Sequence, residues 1–461
     1  MIRDFDLSKI LRTALKNGGD FAEVYAEQVE GLQIISEEKK IEKINPTSDT
    51  GVGIRVLFND KTAYGFTNEV TEESLLKLAA SVADVVRGQK FDHIITLGLI
   101  PPSFQLEMKK SPAASNLSFK TDLIRRAESK AWSSDSRVKQ VKILYADILK
   151  KVEIANALGE MIHDERTYTL FYVQVVTQSP EGFLQTGYYP VGGVIGLELL
   201  DTTPPEDVAR KAVAQSLLML QARKAPAGSM PVVISSEAGG TFVHEAVGHG
   251  LEADLASPGL SVYHAQIGQQ VARQDITVVD DPTLPGRRGS FVFDDEGVPS
   301  ERTVLIEKGI LKNYLYDRRF ALKDGCRANG HGRRESYRFV PICRMANTMI
   351  LPGTDEASSV LRSTAKGLFV KKMGGGQVNT VNGDFVFEVN EGYLIENGRL
   401  GEPVRGAILT GNGPRVLSTI DKVANDLGFS IGTCGKGGQG VPVSDAQPTL
   451  RIPELVVGGV I

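Results

Sequence analysis

Three cysteines in 461 residues, Cys326, Cys343 and Cys434, are too few and odd in number for a disulfide framework. They suit a reducing compartment, where a thiolate can serve as ligand or nucleophile. A surplus of cations is also missing. The 52 Lys and Arg residues stand against 56 Asp and Glu, a net charge of −4, which makes nucleic acid a poor match as partner. No run approaches the roughly 20 consecutive apolar residues of a membrane-spanning helix. The first residues alternate charge with apolar side chains and lack the long apolar core of a secretory signal. These absences give the expectation of a cytoplasmic protein with no membrane partner. The remainder reads as globular, with 41% hydrophobic and 23% charged residues over a length that suits two or three domains.

Glycine divides the chain: 14 fall in residues 1–200 and 34 in residues 201–461, so the two halves are built differently. In the first, Leu7, Ile10, Leu11 and Leu15 form a helical stripe that ends at Asn17-Gly18-Gly19. Alternating segments at 23–29, 32–38 and 51–58 predict strands, and Thr71 as N-cap opens a helix whose buried face includes Leu75, Leu78 and Val82. A polar connector is expected over 91–117, long strands over 138–189, and an amphipathic helix over 205–222. Ala225-Pro226-Ala227-Gly228 marks a boundary, after which short apolar strands and turns predominate. The expected fold is α+β: an N-terminal domain of mixed helices and antiparallel strands, 1–227, followed by a glycine-rich, mainly β domain, 228–461.

One of the few helical candidates in the second half carries two of the six histidines, in His244-Glu245-Ala246-Val247-Gly248-His249. Zinc-protease helices usually place two ligands four residues apart, so that both project to one side. A spacing of five turns the second roughly 140° away and about 7.5 Å along an ideal helix. One wide turn closes that gap, because a π-bulge inserts one residue, and Gly248 is expected to ease the distortion. Two helical histidines alone are equally compatible with ordinary packing. Glu245 tips the balance, since a carboxylate next to the first imidazole can reach a water at the metal and act as general base. A catalytic zinc normally takes three protein ligands. The spacing leaves Glu252, Asp254, His264, Asp280, Asp281, His331 and Cys434 open as the third. Cys434 stands among glycines and offers a soft thiolate, whereas Cys326 and Cys343 read as small buried hydrophobes.

His244 to Glu252 and Thr433-Cys434-Gly435-Lys436 together resemble the TldD branch of the TldD/PmbA metalloproteases. Val278-Val279-Asp280-Asp281, Asp294-Asp295-Glu296-Gly297, Gly332-Arg333-Arg334-Glu335-Ser336-Tyr337, Gly374-Gly375-Gly376-Gln377, Gly392-Tyr393-Leu394 and Gly411-Asn412-Gly413-Pro414 extend the likeness over residues 228–461. His331 departs from it, standing where the family pattern has asparagine. The resemblance implies a zinc-dependent peptidase with His244, His249 and Cys434 as ligands and Glu245 as base. It also implies small or unfolded peptides as substrates, and either a homodimer or a heterodimer with a metal-free paralogue. Arg333, Arg334, Tyr337 and glycine-rich backbone amides are the candidates for stabilising the oxyanion. Two other readings compete: a noncatalytic peptide-binding subunit with structural zinc, and a cysteine hydrolase using Cys434.

Overall fold

The computed structural model describes residues 1–90 and 94–459. Its first half is organised by hairpins of unusual length. Alternating burial runs through Glu160–Gln178, whose Ile162, Phe171, Val173 and Val175 are buried, and such a pattern gives a sheet one packed face. Phe21–Glu37, Lys40–Phe58, Val138–Asn156 and Glu160–Gln178 pair antiparallel in one seven-stranded sheet, with Lys61–Thr67 beyond Lys40–Phe58 and Leu184–Val194 against Glu160–Gln178. The helices Leu7–Ala14 and Glu72–Val85 pack with one end of this sheet in one apolar cluster. Leu117–Ser134 and Pro205–Gln221 pack in another. Thr71 caps its helix as expected, accepting from the Ser74 amide.

The fold is mixed α and β, as expected, but several element bounds differ. Segments 23–29 and 32–38 form one strand, because Gly31 continues in register opposite Ile148. Segment 51–58 is the end of the 19-residue strand Lys40–Phe58. The expected connector begins with residues 91–93, which lie outside the described residues. From 117 the chain is helical, Leu117–Ser134, with the Asn116 side chain accepting from Phe119 N at the cap. That helix is obscured in the sequence because its inner face includes Lys120 and Glu128, which are buried on polar partners.

Two main sheets build the second half, beside a two-stranded pairing of Gly332–Arg333 with Ile342–Cys343. In the larger, Lys366–Asn379, Gly228–Ile234, Leu450–Gly458, Ile408–Asn412 and Asp384–Glu396 pair in sequence, and the last pairs back to the first, closing a ring. The smaller orders Ile310–Leu311, Thr303–Glu307, Val278–Asp280, Asn347–Ile350, Gln439–Gln447 and Gly428–Lys436. Gly428–Lys436 is therefore an edge strand. The chain crosses between the halves after Pro205–Gln221, where Arg223–Lys224 pairs with Val404 and Arg405. We propose the domain division at this crossing, near residue 227.

Buried charge joins the halves. Arg55 Nη2 donates to Glu23 at 2.8 Å and to Glu296 at 2.5 Å, with all three side chains fully buried. Arg334 also donates to Glu23. Arg166 bridges Asp164 at 2.6 Å and Asp295 at 3.1 Å. Among the described residues no helix is long and apolar enough to cross a membrane.

Candidate metal centre

The histidine segment opens as a turn of α-helix, Thr241–Val243, and widens into a π-helical turn over His244–Gly248, in which the His249 amide donates to the His244 carbonyl. The extra residue in that turn brings the two imidazoles to the same side, with ring centroids 4.9 Å apart and planes at 89°. Gly248 does not ease the turn through unusual dihedrals, for its φ of −55° and ψ of −55° are open to any residue. Its hydrogen is needed for packing, since a Cβ there would lie 1.9 Å from Met345 Sδ.

Cys434 comes from the edge strand Gly428–Lys436 of the hairpin that returns through Gln439–Gln447. Arg344, fully buried, donates to the carbonyls of Cys434 and, at 3.2 Å, Gln439, pinning the hairpin from behind. Cys434 Sγ lies 3.2 Å from His244 Nε2 and 3.4 Å from His249 Nε2. The three donor atoms all fall within 4.8 Å of one another.

Each imidazole is held from its far side by a carboxylate. Asp445 Oδ1 is 2.8 Å from His244 Nδ1, and Glu252 Oε2 is 2.9 Å from His249 Nδ1. A carboxylate at Nδ1 keeps a proton there and leaves Nε2 as the nitrogen that faces the sulfur and is available to a metal. Lys436, two residues beyond the cysteine, donates to Glu252 at 2.9 Å, Asp254 at 2.6 Å and the Cys343 carbonyl at 3.0 Å.

The remaining candidates for third ligand are engaged elsewhere. Lys436 ties down Glu252 and Asp254. His264 Nδ1 donates to Ala256 O at 2.7 Å. Asp280 accepts from the Ala346 and Asn347 amides, and Asp281 from Thr283. His331 is fully buried with Nδ1 donating to Arg344 O at 3.1 Å. Cys343 is buried with its sulfur accepting from Asp317 N at 3.3 Å, but Cys326 is exposed, against expectation. Arg333 donates to the Met345 and Pro442 carbonyls, Arg334 belongs to the charged joint, and Tyr337 donates to Asp49. None of these three lines the cavity at His244, so they are not placed to meet an oxyanion there.

Electrostatics favour a cation between the donors. Burial raises the Cys434 thiol, but hydrogen bonds from His244 and His249 outweigh it and bring the pKa to about 5. Burial disfavours charge on His249, yet Glu252 and Cys434 carry it up to about 9. Asp445 and Cys434 drive His244 upward in the same way. Against its burial, Lys436 and His249 hold Glu252 at about 2. Glu245, half-buried beside the pair, is raised by desolvation. Two imidazole nitrogens and a thiolate are a donor set that suits zinc. Tetrahedral bonds of zinc length would set N···S separations of about 3.6 Å, close to the two observed.

The donors open onto a cavity of about 890 Å³. It is lined by the edge strand from Phe429 to Lys436, by Tyr188 and Tyr189, and by the stretch Lys372 to Val378. Gly376 lies against the base candidate, since a Cβ on it would stand 3.4 Å from Glu245 Cγ and 2.2 Å from Phe387.

Comparison with known proteins places this site in context. Three consecutive family models match the chain: PmbA/TldA metallopeptidase domain 1 over residues 22–85, the central domain over 110–220 and the C-terminal domain over 227–459. A Haemophilus influenzae protein named metalloprotease TldD homolog is 35% identical over 449 residues, covering 95% of this chain and 93% of its own. A Saccharolobus solfataricus protein named zinc metalloprotease TldD homolog is 27% identical over 98% of this chain and 99% of its own. The crystal structure of TldE from Thermococcus kodakarensis shares the fold, with a TM-score of 0.79 at 17% identity over 98% of this chain and 100% of that one. Matched in three successive segments and by relatives along nearly its whole length, the chain belongs to the PmbA/TldD metallopeptidase family.

Proposed function

We propose that this chain is a zinc-dependent peptidase in which His244, His249 and Cys434 hold the metal and Glu245 is the general base. The observation that carries the reading is the meeting of two imidazole nitrogens and one Sγ in the lining of a cavity, within 4.8 Å of one another. Zinc bound there supplies Lewis acidity toward a water and a peptide carbonyl. Glu245 takes a proton from the attacking water and delivers it to the leaving amine. Asp445 and Glu252 hold the imidazoles in the ligating tautomer. The backbone of the edge strand Gly428–Lys436 offers a peptide main-chain hydrogen bonds in the manner of an added strand. That mode requires an extended substrate, so small or unfolded peptides are the proposed substrates. The working particle is proposed as a homodimer or a heterodimer with a metal-free paralogue, in the cytoplasm.

Replacing Glu245 with Gln should leave zinc stoichiometry near one and abolish hydrolysis. Retained hydrolysis would remove Glu245 as base, whereas a structural zinc in a noncatalytic subunit predicts no hydrolysis by the parent protein either. A cysteine hydrolase is favoured by one observation, the line from Cys434 through His244 to Asp445 at 3.2 and 2.8 Å. Chelation separates these readings: it should stop a zinc peptidase and spare a cysteine hydrolase. A folded protein and its denatured form, offered side by side, should be cleaved at very different rates. Equal rates would contradict the extended-strand mode.

A further inference from the structure

Lys372 stands on the strand Lys366–Asn379 where its pairing with Asp384–Glu396 slips, between Val370 and Lys372 and again between Lys372 and Met373. Its neighbour Lys371 is matched by Glu391 at 2.9 Å. Lys372 instead lines the cavity, half-buried, and among the described residues no carboxylate lies within 4.0 Å of its ammonium, Glu391 and Glu237 acting on it from farther off. Its ammonium reaches Gln215 Oε1 only at 3.4 Å and lies 4.8 Å from the centre of the Tyr189 ring. A second ammonium, Lys211, approaches the same ring at 4.4 Å. Lys436, the other lysine of the cavity lining, is fully engaged by Glu252 and Asp254. Burial lowers the Lys372 pKa, and Glu391 and Glu237, which oppose the shift from beyond ion-pair range, do not cancel it, so the ammonium stays poorly satisfied. A desolvated ammonium of this kind gains most from a carboxylate brought in by a ligand.

We propose that Lys372 selects peptides that present a carboxylate, either an acidic side chain or the free C-terminus, a few residues from the bond that is cut. The inference rests on the peptidase reading of the cavity. Its position sets the spacing. Gly376 abuts Glu245, and Lys372 precedes it by four residues, which is at most about 13 Å of strand. A carboxylate within about four residues of the scissile bond therefore falls within reach of the ammonium.

Fluorescent peptides of ten residues supply the test, with a single Asp moved along a neutral sequence, an Asn twin for each, and a free or amidated C-terminus. Binding is measured by anisotropy on the zinc-loaded Glu245→Gln protein, and cleavage on the parent. For the best position the Asp peptide should bind about ten-fold more tightly than its Asn twin. Lys372→Gln in the same background should erase that difference and leave neutral peptides unchanged, Lys372→Arg should keep it, and Lys372→Glu should invert it. Loss of the preference on amidation alone would identify the C-terminal carboxylate, and loss on Asp to Asn exchange alone a side chain; either supports the assignment. Equal binding of twins, or a preference that survives Lys372→Gln, would overturn it. If the parent cleaves no peptide and the Lys372-dependent preference persists, the peptidase reading falls and the role of Lys372 stands.

Discussion

The carboxylates behind the two imidazoles are not equivalent, and the difference is measurable. Asp445 is buried, and its carboxylate faces the His244 ring at 2.8 Å, so its charge bears on that ring. Glu252 shares the oxygen that faces His249 with the Lys436 ammonium at 2.9 Å, so part of its charge is already balanced. Asp445→Asn keeps an acceptor for His244 Nδ1–H and leaves the Asp445 carbonyl, which accepts from Gly240 N at 3.1 Å, in place. It removes the charge alone. Changes to such outer partners typically weaken metal binding 10- to 100-fold, which is about 1.4–2.7 kcal/mol. Asp445→Asn should fall in this range, and Glu252→Gln should cost less, about ten-fold or below. Competition for zinc with a chromophoric chelator gives both values, and thermal melting of the metal-free proteins checks that neither variant has lost its fold. Zinc affinity of Asp445→Asn within two-fold of the parent would refute the reasoning, as would a larger loss for Glu252→Gln.

Four further outcomes follow from packing and charge. Arg55→Met strands Glu296 in the interior and leaves Glu23 with Arg334 alone, which should cost about 3–5 kcal/mol in urea unfolding, while the added change Glu296→Gln should recover part of it; a loss below about 1 kcal/mol would mean the joint is not paired as described. Asp295, raised by burial but held at about 2 by Arg166 and Lys150, contributes about 2 kcal/mol of stability that is present above pH 4 and disappears as pH falls through about 2; Asp295→Asn should flatten stability against pH in that window and lower it above. Gly248→Ala drives a methyl into Met345 and should cost about 1–3 kcal/mol, relieved by Met345→Ala. Gly435→Ala, with open space around it, should be neutral within about 0.5 kcal/mol by the same melting assay.

Local chemistry in the sequence is enough to place the histidine-bearing helix. A spacing of five between His244 and His249 demands a widened turn, and the His249 amide bonded to the His244 carbonyl is that turn. The identity of a third donor was not legible from spacing, because Cys434 is brought in by a hairpin from another part of the chain, and seven residues were chemically eligible. Asp445 carries no local signal at all. It occupies the strand opposite the cysteine-bearing one, paired with Ser430, and only that register directs its carboxylate to His244. Arg333 and Arg334 looked suited to an oxyanion because they are cations inside a family-like motif, yet they face carbonyls and carboxylates away from the cavity. The long strands were read as short ones because Gly31 and Pro46 usually punctuate a strand. Both are tolerated here at neighbouring rungs, Gly31 opposite Thr47 and Pro46 opposite Leu32, near the exposed far end of the hairpin.

The acidic and basic motifs of the second half acquire a physical reason once the cavity walls are traced. Tyr188 and Tyr189 come from the strand Leu184–Val194 of the first sheet, while His244, Cys434 and Lys372 come from the second half. The shape of the cavity therefore depends on the relative placement of two separately built halves. Apolar surfaces can slide over one another at small cost, because the hydrophobic effect has no direction. The contacts of Glu23 and Arg55 with Glu296 and Arg334, and of Arg166 with Asp295, behave differently. A shift of an ångström would leave buried charges unpaired at several kcal/mol each. Such a joint adds little net stability over an apolar one of the same volume, but it admits one alignment. In this chain that alignment holds Tyr188 and Tyr189 in the same cavity as His244, His249 and Cys434.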